Sequence, residues 1–437
     1  MAEDHRSKLR TAEEAAALVR DVDDVLLPLA PAQPAGFLRA LGRRERFERL
    51  RLLCALLQEP FELLSRPGVL VASQFFGPVE RMLRGAGVPI EHVTADFHGL
   101  ELLARRTKPR VVASAVAPPD EDGFLSFGLH AGASAIPFLE AARDPERLAV
   151  AEINPRMPRT RGLPEFGGHR VHASEVDVLL ECDAPLFALP ESQPDDADRR
   201  IAALVGDLVP DGATLQFGIG SVPNEIATIL AAGPHGDFGI HTEMVVDGVM
   251  LLHEAGKVAN RKGLHDGWSI ATFGLGSQAL YDWLGGDTPV RFLPVSQTNP
   301  PHVVSRNRRM ISVNAAIMID LSGQVVADTV AGRQHSGVGG HESFVTGARE
   351  SDGGTSILCL HSTKLIDGVP RSRILDRLPP GSIVTTPRHQ VDRVATEHGI
   401  VQLFGLSDRE RAEALVELAD PAFRGKLRAA ARGRVSG

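Results

Sequence analysis

The residue most suited by type and surroundings to catalytic chemistry is Glu243, which lies in the largely apolar segment Gly239–Gly248. A carboxylate among apolar neighbours is expected to be partly desolvated, which favours its neutral form and makes its anion more reactive. Such a group can act as a general base or as a nucleophile. A lone glutamate is also a common structural hydrogen-bonding group, so this residue by itself leaves both interpretations open.

A glycine turn lies upstream of Glu243. A short apolar strand leads into Gly218–Gly220, and Pro223 marks a predicted helix at Val222–Leu230. A strand, a glycine turn and a helix N-terminus together favour an anion, because backbone N–H groups converge there and the helix dipole adds to them. Pro223 takes the place of the third glycine of a dinucleotide fingerprint, and the Lys-Ser/Thr pair of a Walker loop does not follow. A tight turn without a ligand is the alternative, and Ser221 is expected to cap the helix.

A second glycine cluster lies in Ser336–Gly354, where three glycines fall within four residues: Gly337, Gly339 and Gly340. Such density suits a backbone that lies against a substrate or donates N–H groups to a developing oxyanion. A flexible surface loop is the alternative. The neighbouring apolar residues Phe344 and Val345 argue against that alternative, because a merely flexible loop does not need them.

Other catalytic chemistries have less support. No GxSxG elbow occurs, and the three cysteines are widely spaced, without the CxxC pairs of a zinc site or the pattern of a disulfide framework. The 16 histidines form no HxxxH or HxH pair, so no metal site is predicted. We expect His169 and His172 at the surface, His241 and Cys359 in the core, and Asp247 as a helix cap.

Composition restricts the class of protein. The 437 residues are 43% hydrophobic and 23% charged, as in ordinary globular proteins, and their number suggests two or three domains. The formal charge of −8 disfavours a nucleic-acid partner, since phosphate binding needs a basic surface. The charged N-terminus and the lack of a long apolar run predict neither a signal peptide nor a membrane span, so we expect a cytoplasmic protein. The share of glycine, 43 of 437 residues, exceeds the average of about 7%, which indicates many tight turns.

Short apolar, β-branched runs alternate with helical patterns along the chain. The strands predicted in the first half are Val69–Ser73, Val111–Val116, Leu148–Ile153 and Val176–Leu180, and the helices are Gly77–Arg84 and Ala133–Arg143. This alternation predicts an α/β fold of βαβ units, with a largely parallel sheet covered by helices on both faces. Thr11 and Glu14 have the spacing of a capping box before an alanine-rich helix.

The polar segment Leu189–Arg199 contains two prolines, and a new helix and strand pattern follows it at Ile201–Val209 and Ala213–Phe217. We therefore predict a linker there. It separates an N-terminal α/β domain at residues 1–194 from a C-terminal α/β domain at residues 195–437.

Several segments, in order along the chain, closely resemble the acetyl-CoA hydrolase/transferase family, and within it the 4-hydroxybutyrate and butyryl/acetate CoA-transferases. In the second half they are DGATLQFGIGSVPN, GIHTEMVVDG, ISVNAAIMIDLSGQV, SGVGGHESFVTGA and a closing stretch that begins ATEHGIVQLFGL. In the first half they are APPDEDGFLSFG and EINPRMPRTRG. The resemblance covers nearly the whole chain, so it is specific for the family and less specific for the substrate.

The resemblance implies two α/β domains with largely parallel sheets, an active site in the cleft between them, and a homodimer. It also implies a ping-pong transfer in which Glu243, in an HTEM-type motif, attacks the acyl-CoA thioester. An acyl-glutamyl anhydride and CoA thiolate form, and the thiolate returns to give a glutamyl-CoA thioester and the first free acid. A second carboxylate then runs these steps in reverse.

The resemblance further implies where the substrates bind. CoA is expected on Gly218, Ile219, Gly220, Ser221 and Val222, and the thioester on the second glycine loop with Gly337, Gly339 and Gly340. The first domain is expected to close over the acyl end with Pro118–Gly128 and Asn154–Pro158. The expected partners are small acyl-CoA and carboxylate substrates, with no permanent cofactor, metal, nucleic acid or membrane.

Some positions depart from the family pattern. His341 and Ser343 replace the Gln and Asp of its GGQxDF segment, and the closing motif carries His398, Phe404 and Leu406 where Tyr, Arg and Lys are usual. The loss of two cationic contacts favours a larger or more apolar acyl group. An acyl-CoA hydrolase, in which water intercepts the glutamyl intermediate, and a non-catalytic acyl-CoA-binding relative are the alternatives to a transferase.

Overall fold

The computed structural model describes residues 6–190 and 193–435, and only the backbone of residues 6 and 433–435. The contacts among these residues separate two compact units.

Unit 1 contains the described residues up to Pro190, together with Glu243–Val245 and Ile270–Thr298, and unit 2 contains the others. The chain therefore passes from unit 2 into unit 1 at Glu243. The predicted division assumed a single cut between residues 194 and 195, whereas both units are discontinuous in sequence. That boundary stays a prediction.

Strands and helices alternate in residues 6–190. The helices are α1 (Ala12–Ala17), α2 (Ala35–Gly42), α3 (Pro78–Gly85), α4 (Phe97–Thr107) and α5 (Ala135–Ala141). The strands are β1 (Val22–Leu26), β2 (Arg49–Cys54), β3 (Val69–Ser73), β4 (Ile90–His92), β5 (Val111–Val116), β6 (Phe124–Ser126), β7 (Leu148–Ile153), β8 (Arg170–His172) and β9 (Val178–Glu181). Thr11 and Glu14 form the predicted capping box, since each side chain accepts the other residue's backbone N–H.

The central sheet of unit 1 has seven strands among the described residues, in the order β4-β3-β2-β1-β5-β7-β9. All neighbouring strands in it are parallel. Every residue of β5 is buried, which explains why buried parallel strands stand out in the sequence as apolar runs. The predicted α/β fold with parallel sheets is confirmed. β3, β5 and β7 have their predicted bounds, whereas β9 begins two residues later than predicted.

From residue 193 onward the helices are α6 (Asp196–Gly206), α7 (Ser221–Ala232), α8 (Asp247–Glu254), α9 (Gln278–Leu284), α10 (Pro301–Val304), α11 (His341–Glu350), α12 (Asp408–Leu418) and α13 (Pro421–Val435). The strands are β10 (Thr214–Phe217), β11 (Gly239–Ile240), β12 (Met244–Val245), β13 (Ser269–Ala271), β14 (Phe273–Gly274), β15 (Val290–Phe292), β16 (Met310–Ala315), β17 (Met318–Asp320), β18 (Val325–Val326), β19 (Thr329–Val330), β20 (Arg333–Gln334), β21 (Thr355–Cys359), β22 (Thr363–Ile366), β23 (Val369–Ser372), β24 (Ile374–Leu375), β25 (Arg393–Thr396) and β26 (Gly399–Gln402). Among the helices that the structure describes, none has both the length and the apolar character of a membrane span.

The central sheet of unit 2 has the order β11-β10-β16-β21-β25-β26. Its strands pair in parallel, except that β25 and β26 are antiparallel. β10 and β16 are in register from Thr214 opposite Met310 to Phe217 opposite Val313. The glycine turn Gly218–Gly220 follows the carboxyl end of β10, which is the edge where open parallel sheets place their ligands.

Three predictions about helix ends are wrong. Asp195 is the N-cap of α6, so the linker predicted to reach Arg199 extended into the helix. Gly220 is the N-cap of α7, so Ser221 is its first residue and not its cap. Asp247 is likewise the first residue of α8 rather than its cap. Helix ends depend on the local backbone dihedral angles, which residue types indicate only weakly.

The surface position predicted for His169 is also wrong, because this residue is buried. Its ring stacks on Phe292 with centroids 5.4 Å apart, and its Nε2 lies 2.9 Å from the carbonyl oxygen of Gly128. Burial lowers the pKa of His169 to about 4, so the ring is neutral near pH 7. His241 and Cys359 lie in the core, as predicted.

Candidate active site

Glu243 is held through its backbone beside a short pair of parallel strands in unit 1. β12 and β14 pair Met244 with Phe273. The carbonyl of Glu243 accepts hydrogen bonds from the N–H groups of Thr272 at 2.9 Å and Phe273 at 3.2 Å. Glu243 is partly exposed, while Thr242 and Met244 on either side are buried. The backbone is thus fixed at this position, and the side chain keeps some access to solvent.

Uncharged rings support this strand pair within unit 1. The ring of Phe273 packs edge-on against Phe97 with centroids 5.8 Å apart, and it lies 6.0 Å from the ring of His130. His130 is buried, and burial, with a smaller effect of His169, lowers its pKa to about 3. His130 is therefore neutral near pH 7 and places no charge against Phe273 of β14.

A segment from the first half of the chain lies against the same strands. The N–H of Gly274 donates to the carbonyl of Leu129 at 2.8 Å, and the N–H of Gly132 donates to the carbonyl of Thr272 at 3.0 Å. Gly132 has φ +44°, and a Cβ there would lie 2.0 Å from the ring of His130. A Cβ at this position would thus clash with the buried His130 ring, and the positive φ also favours glycine.

The two segments predicted to line the acyl end, Pro118–Gly128 and Asn154–Pro158, are in contact. Met157 Sδ accepts the N–H of Leu129 at 3.4 Å, and a Cβ at Gly128 would lie 2.3 Å from Met157. Thr160 Oγ1 donates to the carbonyl of Gly128 at 2.5 Å. Both segments thus connect to the strands that hold the Glu243 backbone, and their role at the acyl end stays a prediction.

The first glycine turn (Gly218–Gly220) has a backbone geometry that favours glycine. Gly220 has φ +122° and ψ 176°, a region that residues with a Cβ rarely adopt. Helix α7 begins at the next residue, and Ile219 beside it is 45% exposed. The first N–H groups of a helix have no acceptor within the helix, so this end of α7 is suited to an anion.

A carboxylate of α6 ties down the start of α7. Asp198 Oδ1 lies 2.7 Å from His361 Nε2, and the Asp198 side chain is also hydrogen-bonded to Ser221. Burial raises the pKa of Asp198, but the bonds from His361 and Ser221 outweigh that effect and leave it below its usual value. Asp195, Asp198 and His361 each place a potential ligand atom within 4.8 Å of the others. Exposed acidic groups commonly cluster in this way without a metal, and we assign none.

The two residues before Glu243 contact elements next to both glycine features, within unit 2. Thr242 Oγ1 donates to the carbonyl of Phe217 at 3.4 Å, and Phe217 directly precedes the first glycine turn. The ring of His241 lies 6.2 Å from the ring of Phe344 in α11, the helix that follows the second glycine cluster. His241 and Thr242 are both fully buried. The chain leading to Glu243 is therefore fixed against both of these elements.

The second glycine loop (Ser336–Gly340) is not a free surface loop. Its three glycines are buried, and Gly339 has φ +55°. Helix α11 follows directly, and its Phe344 packs in a small apolar cluster with Val304, Met310 and Ala348. The alternative of a merely flexible loop does not fit these surroundings, while its contact with a thioester stays a prediction.

The positions that depart from the family pattern have different surroundings in unit 2. His341 places Nε2 2.9 Å from Thr386 Oγ1, and Ser343 is buried in α11. Phe404 is 54% exposed, with the Arg349 guanidinium 5.7 Å from its ring centroid. Leu406 packs against the apolar core of the C-terminal helices. Phe404 thus presents an apolar surface where the family usually has a cation.

Sequence reasoning missed the polar groups that surround the second glycine loop. Asp328, Thr385 and Thr386 lie outside every motif, and only the folded chain brings them to the ends of the loop. Glu342 was included in the loop segment without a role. No residue spacing marks such contacts, because they join positions more than 40 residues apart.

Comparisons with known proteins identify the family of the chain. Residues 276–431 match the acetyl-CoA hydrolase/transferase C-terminal domain. The succinyl-CoA:cyclohexane-1-carboxylate CoA transferase of Geobacter metallireducens is 35% identical, over 98% of this chain and 96% of its own. The 4-hydroxybutyrate coenzyme A transferase of Clostridium kluyveri is 38% identical, over 71% of this chain and 70% of its own. The crystal structure of RipA from Yersinia pestis is 33% identical, with a TM-score of 0.90 and 99% of both chains covered.

The chain belongs to the acetyl-CoA hydrolase/transferase family, because the likeness in sequence and in fold extends over nearly its full length. Within that family it is a CoA-transferase, like three relatives that are 35%, 38% and 34% identical to it. The family resemblance found in the sequence is therefore confirmed. The roles assigned to individual residues stay predictions.

Proposed function

We propose that this CoA-transferase moves CoA between an acyl-CoA and a carboxylic acid through a covalent intermediate on Glu243. One observation carries the proposal. His241 and Thr242, the residues directly before Glu243, are buried against the elements next to the two glycine features. The carboxylate comes directly after these two residues in the chain, and their contacts lie next to the parts predicted to hold CoA and its thioester.

The chemistry would run in balanced steps. A Glu243 oxygen attacks the thioester carbonyl and the C–S bond breaks, which yields an acyl-glutamyl anhydride and CoA thiolate. The thiolate attacks the glutamyl carbonyl, and the first acid leaves as its carboxylate. A second carboxylate attacks the glutamyl-CoA thioester, and the same steps in reverse form the new acyl-CoA. No net proton transfer or oxidant is needed, because one carboxylate enters and another leaves.

The glycine features would supply the electrostatic part of catalysis. The N–H groups at the first glycine turn and at the start of α7 are suited to an anionic part of CoA. The N–H groups of the second glycine loop are suited to the oxyanion that forms as the thioester carbonyl is attacked. Contacts to the distant parts of CoA would contribute binding energy that is used at the reacting carbonyl.

We infer that the acyl group is larger or more apolar than acetyl. Phe404 offers an exposed ring where the family usually has Arg, and Leu406 replaces a usual Lys. Relatives are named for 4-hydroxybutyrate and for cyclohexane-1-carboxylate, both larger than acetate. A homodimer is a further part of the proposal, because the family resemblance implies it.

The covalent intermediate can be trapped. With acyl-CoA and hydroxylamine or borohydride, we expect modification of Glu243, detected by mass spectrometry of its peptide. Glu243→Ala is expected to abolish transfer while CoA binding stays within a few-fold of wild type. Glu254→Ala removes an exposed carboxylate at the end of α8 and is expected to leave both unchanged. Transfer by Glu243→Ala above about a tenth of the wild-type rate, a barrier change below about 1.4 kcal/mol, would contradict the nucleophile assignment.

The same assay separates transfer from hydrolysis. Without a carboxylate acceptor, a transferase releases the first acid once per active site and then stops as the glutamyl-CoA thioester; it turns over and forms a second acyl-CoA only when an acceptor is present. Steady CoA release without an acceptor would instead support hydrolysis, which the family name includes. A wild-type protein that forms no adduct at all would contradict the proposed mechanism.

A further inference from the structure

Two consecutive threonines hold both ends of the second glycine loop. Thr385 Oγ1 donates to Asp328 Oδ1 and Thr386 Oγ1 donates to Glu342 Oε1, both at 2.5 Å. Asp328 precedes the loop in the chain, and Glu342 follows it. One dipeptide is therefore bonded to both flanks of a loop that contains three glycines.

At the first end, the backbone of Asp328 is hydrogen-bonded to the start of the loop. Its carbonyl accepts the N–H groups of His335 at 2.9 Å and Ser336 at 3.0 Å. Gln334 Nε2 donates to Asp328 Oδ2 at 2.9 Å and to the carbonyl of Ser336 at 2.8 Å. Ser336, the first residue of the loop, is thus bonded through both its N–H and its carbonyl.

At the second end, His341 and Glu342 form the first turn of α11, directly after the loop. His341 Nε2 lies 2.9 Å from Thr386 Oγ1. When Glu342 is ionised, the Thr386 hydroxyl donates to it, and the Nε2–H tautomer of His341 then donates to Thr386. This chain of two hydrogen bonds fixes the start of α11 relative to Thr386.

The threonines are themselves fixed in place. The N–H groups of Thr385 and Thr386 both donate to the carbonyl of Val325, at 2.8 and 3.2 Å. Thr386 is fully buried and Asp328 nearly so. Hydrogen bonds among buried groups are costly to lose, because the remaining partner is left without water to replace the bond.

We propose that Thr386 is a positioning residue for CoA transfer, which sets the second glycine loop through its hydrogen bonds with His341 and Glu342. The inference rests on the proposed function, since it requires the loop to contact the thioester. A loop with three glycines loses much conformational entropy when it is ordered. Restraints at both of its ends lower that cost before substrate arrives, so the loop N–H groups are already directed at the carbonyl oxygen.

The charges around Glu342 provide a second readout. Burial raises the pKa of Glu342 to about 7; the bond from Thr386 opposes this shift, and the charge of Asp328 adds to it. Burial lowers the pKa of His341 to about 4, against a raising effect of Asp328. Asp328 and His341 are the titratable groups that the described residues place against Glu342. Near pH 7, therefore, Glu342 changes its charge while His341 stays neutral.

Thr386→Val tests the proposal, because it removes the hydroxyl and keeps the size and branching of the side chain. We expect kcat/KM for acyl-CoA to fall at least tenfold, mostly through kcat, and Thr386→Ser to restore it to within threefold. Thr214→Val is the matched control: its buried hydroxyl donates to the carbonyl of Arg308 at the far end of β10 from the first glycine turn. Thr214→Val is expected to lower stability comparably and to leave kcat/KM within twofold.

The pH profile separates positioning from simple structural support. A charged acceptor binds the Thr386 hydroxyl more tightly than a neutral one. We therefore expect wild-type kcat/KM to fall as pH decreases through 7. Glu342→Gln is expected to have the low kcat/KM of wild type below pH 7 at every pH, without an inflexion near 7. Thr386→Val is expected to lose the inflexion as well. Wild-type profiles in both variants would overturn the proposal.

Adduct formation distinguishes failure of this inference from failure of the proposed function. If wild type gives no Glu243 adduct, the proposed function itself is wrong. If wild type gives the adduct and Thr386→Val forms it equally fast, only the positioning role is overturned. Should Thr386→Val fail to fold, the pH profiles of Glu342→Gln and Thr386→Ser decide the question.

Discussion

Glu342 makes the stability of the protein depend on pH, and its burial sets the direction of that dependence. Its folded pKa of about 7 lies above the ordinary 4.5, so the folded state holds this proton more tightly than the unfolded chain does. The stability linked to this group is fully present below pH 4.5 and is lost as pH rises through 7. The side chain is 23% exposed, so the effect amounts to at most about 3 kcal/mol.

We expect Glu342→Gln to be more stable than wild type at pH 8 and close to wild type at pH 5. The amide keeps an acceptor for Thr386 and never carries the buried charge. The free energy of unfolding in denaturant, measured at both pH values, checks this. Glu350→Gln, at the exposed end of the same helix, is the control and should show no such difference. An equal change at both pH values would show that Glu342 does not titrate as inferred.

At the scale of single elements, the first glycine turn depends on one backbone conformation. Gly220 lies at φ +122° and ψ 176°, which costs a residue with a Cβ about 1–3 kcal/mol. Gly220→Ala is therefore expected to shift the turn and raise KM for acyl-CoA at least tenfold. Steady-state kinetics and the melting temperature are the measurements.

A second glycine provides the control for this substitution. Gly85 ends α3 with open space around its missing side chain and without a positive φ. Gly85→Ala should leave both KM and the melting temperature near wild type. An unchanged KM in Gly220→Ala, together with a lower melting temperature, would mean that the turn is only structural.

The elements themselves were predicted unevenly. The strands Val69–Ser73, Val111–Val116 and Leu148–Ile153 have their predicted bounds, because buried parallel strands require apolar side chains on both faces. Helix ends were less accurate: Asp195 caps α6 inside the predicted linker, and Gly220 rather than Ser221 precedes α7. A helix end is set by backbone angles and by neighbours that a local pattern does not contain.

For the molecule as a whole, the net charge of −8 bears on how an anionic substrate is held. An acidic chain does not attract CoA by its overall field, so local donors must do so. The first glycine turn and the start of α7 offer backbone N–H groups for that purpose. Phe404 and Leu406 stand where the family resemblance implies two cations, and the proposed preference for a larger or more apolar acyl group rests on that difference.

We therefore expect the enzyme to prefer butyryl-CoA or longer acyl-CoA over acetyl-CoA. Initial rates with acetyl-, butyryl- and longer acyl-CoA at one acceptor concentration measure this preference. Phe404→Arg restores the usual family residue and is expected to raise the relative rate with acetyl-CoA. A strong acetyl preference in the wild-type enzyme would refute the inference.

The amino-acid sequence alone was enough to predict the family, the α/β class with parallel sheets, and the candidates Glu243, Gly218–Gly220 and Gly337–Gly340. These follow from local information: apolar runs, glycine spacing and ordered motifs that the comparisons confirm at the level of the family. The tertiary structure decided which distant groups meet. It packed Glu243 with the strands of unit 1, buried His169, and brought Thr385 and Thr386 to both ends of the second glycine loop. Hydrogen bonds between positions far apart in the chain depend on the path of the whole backbone, and no local pattern of residues encodes that path.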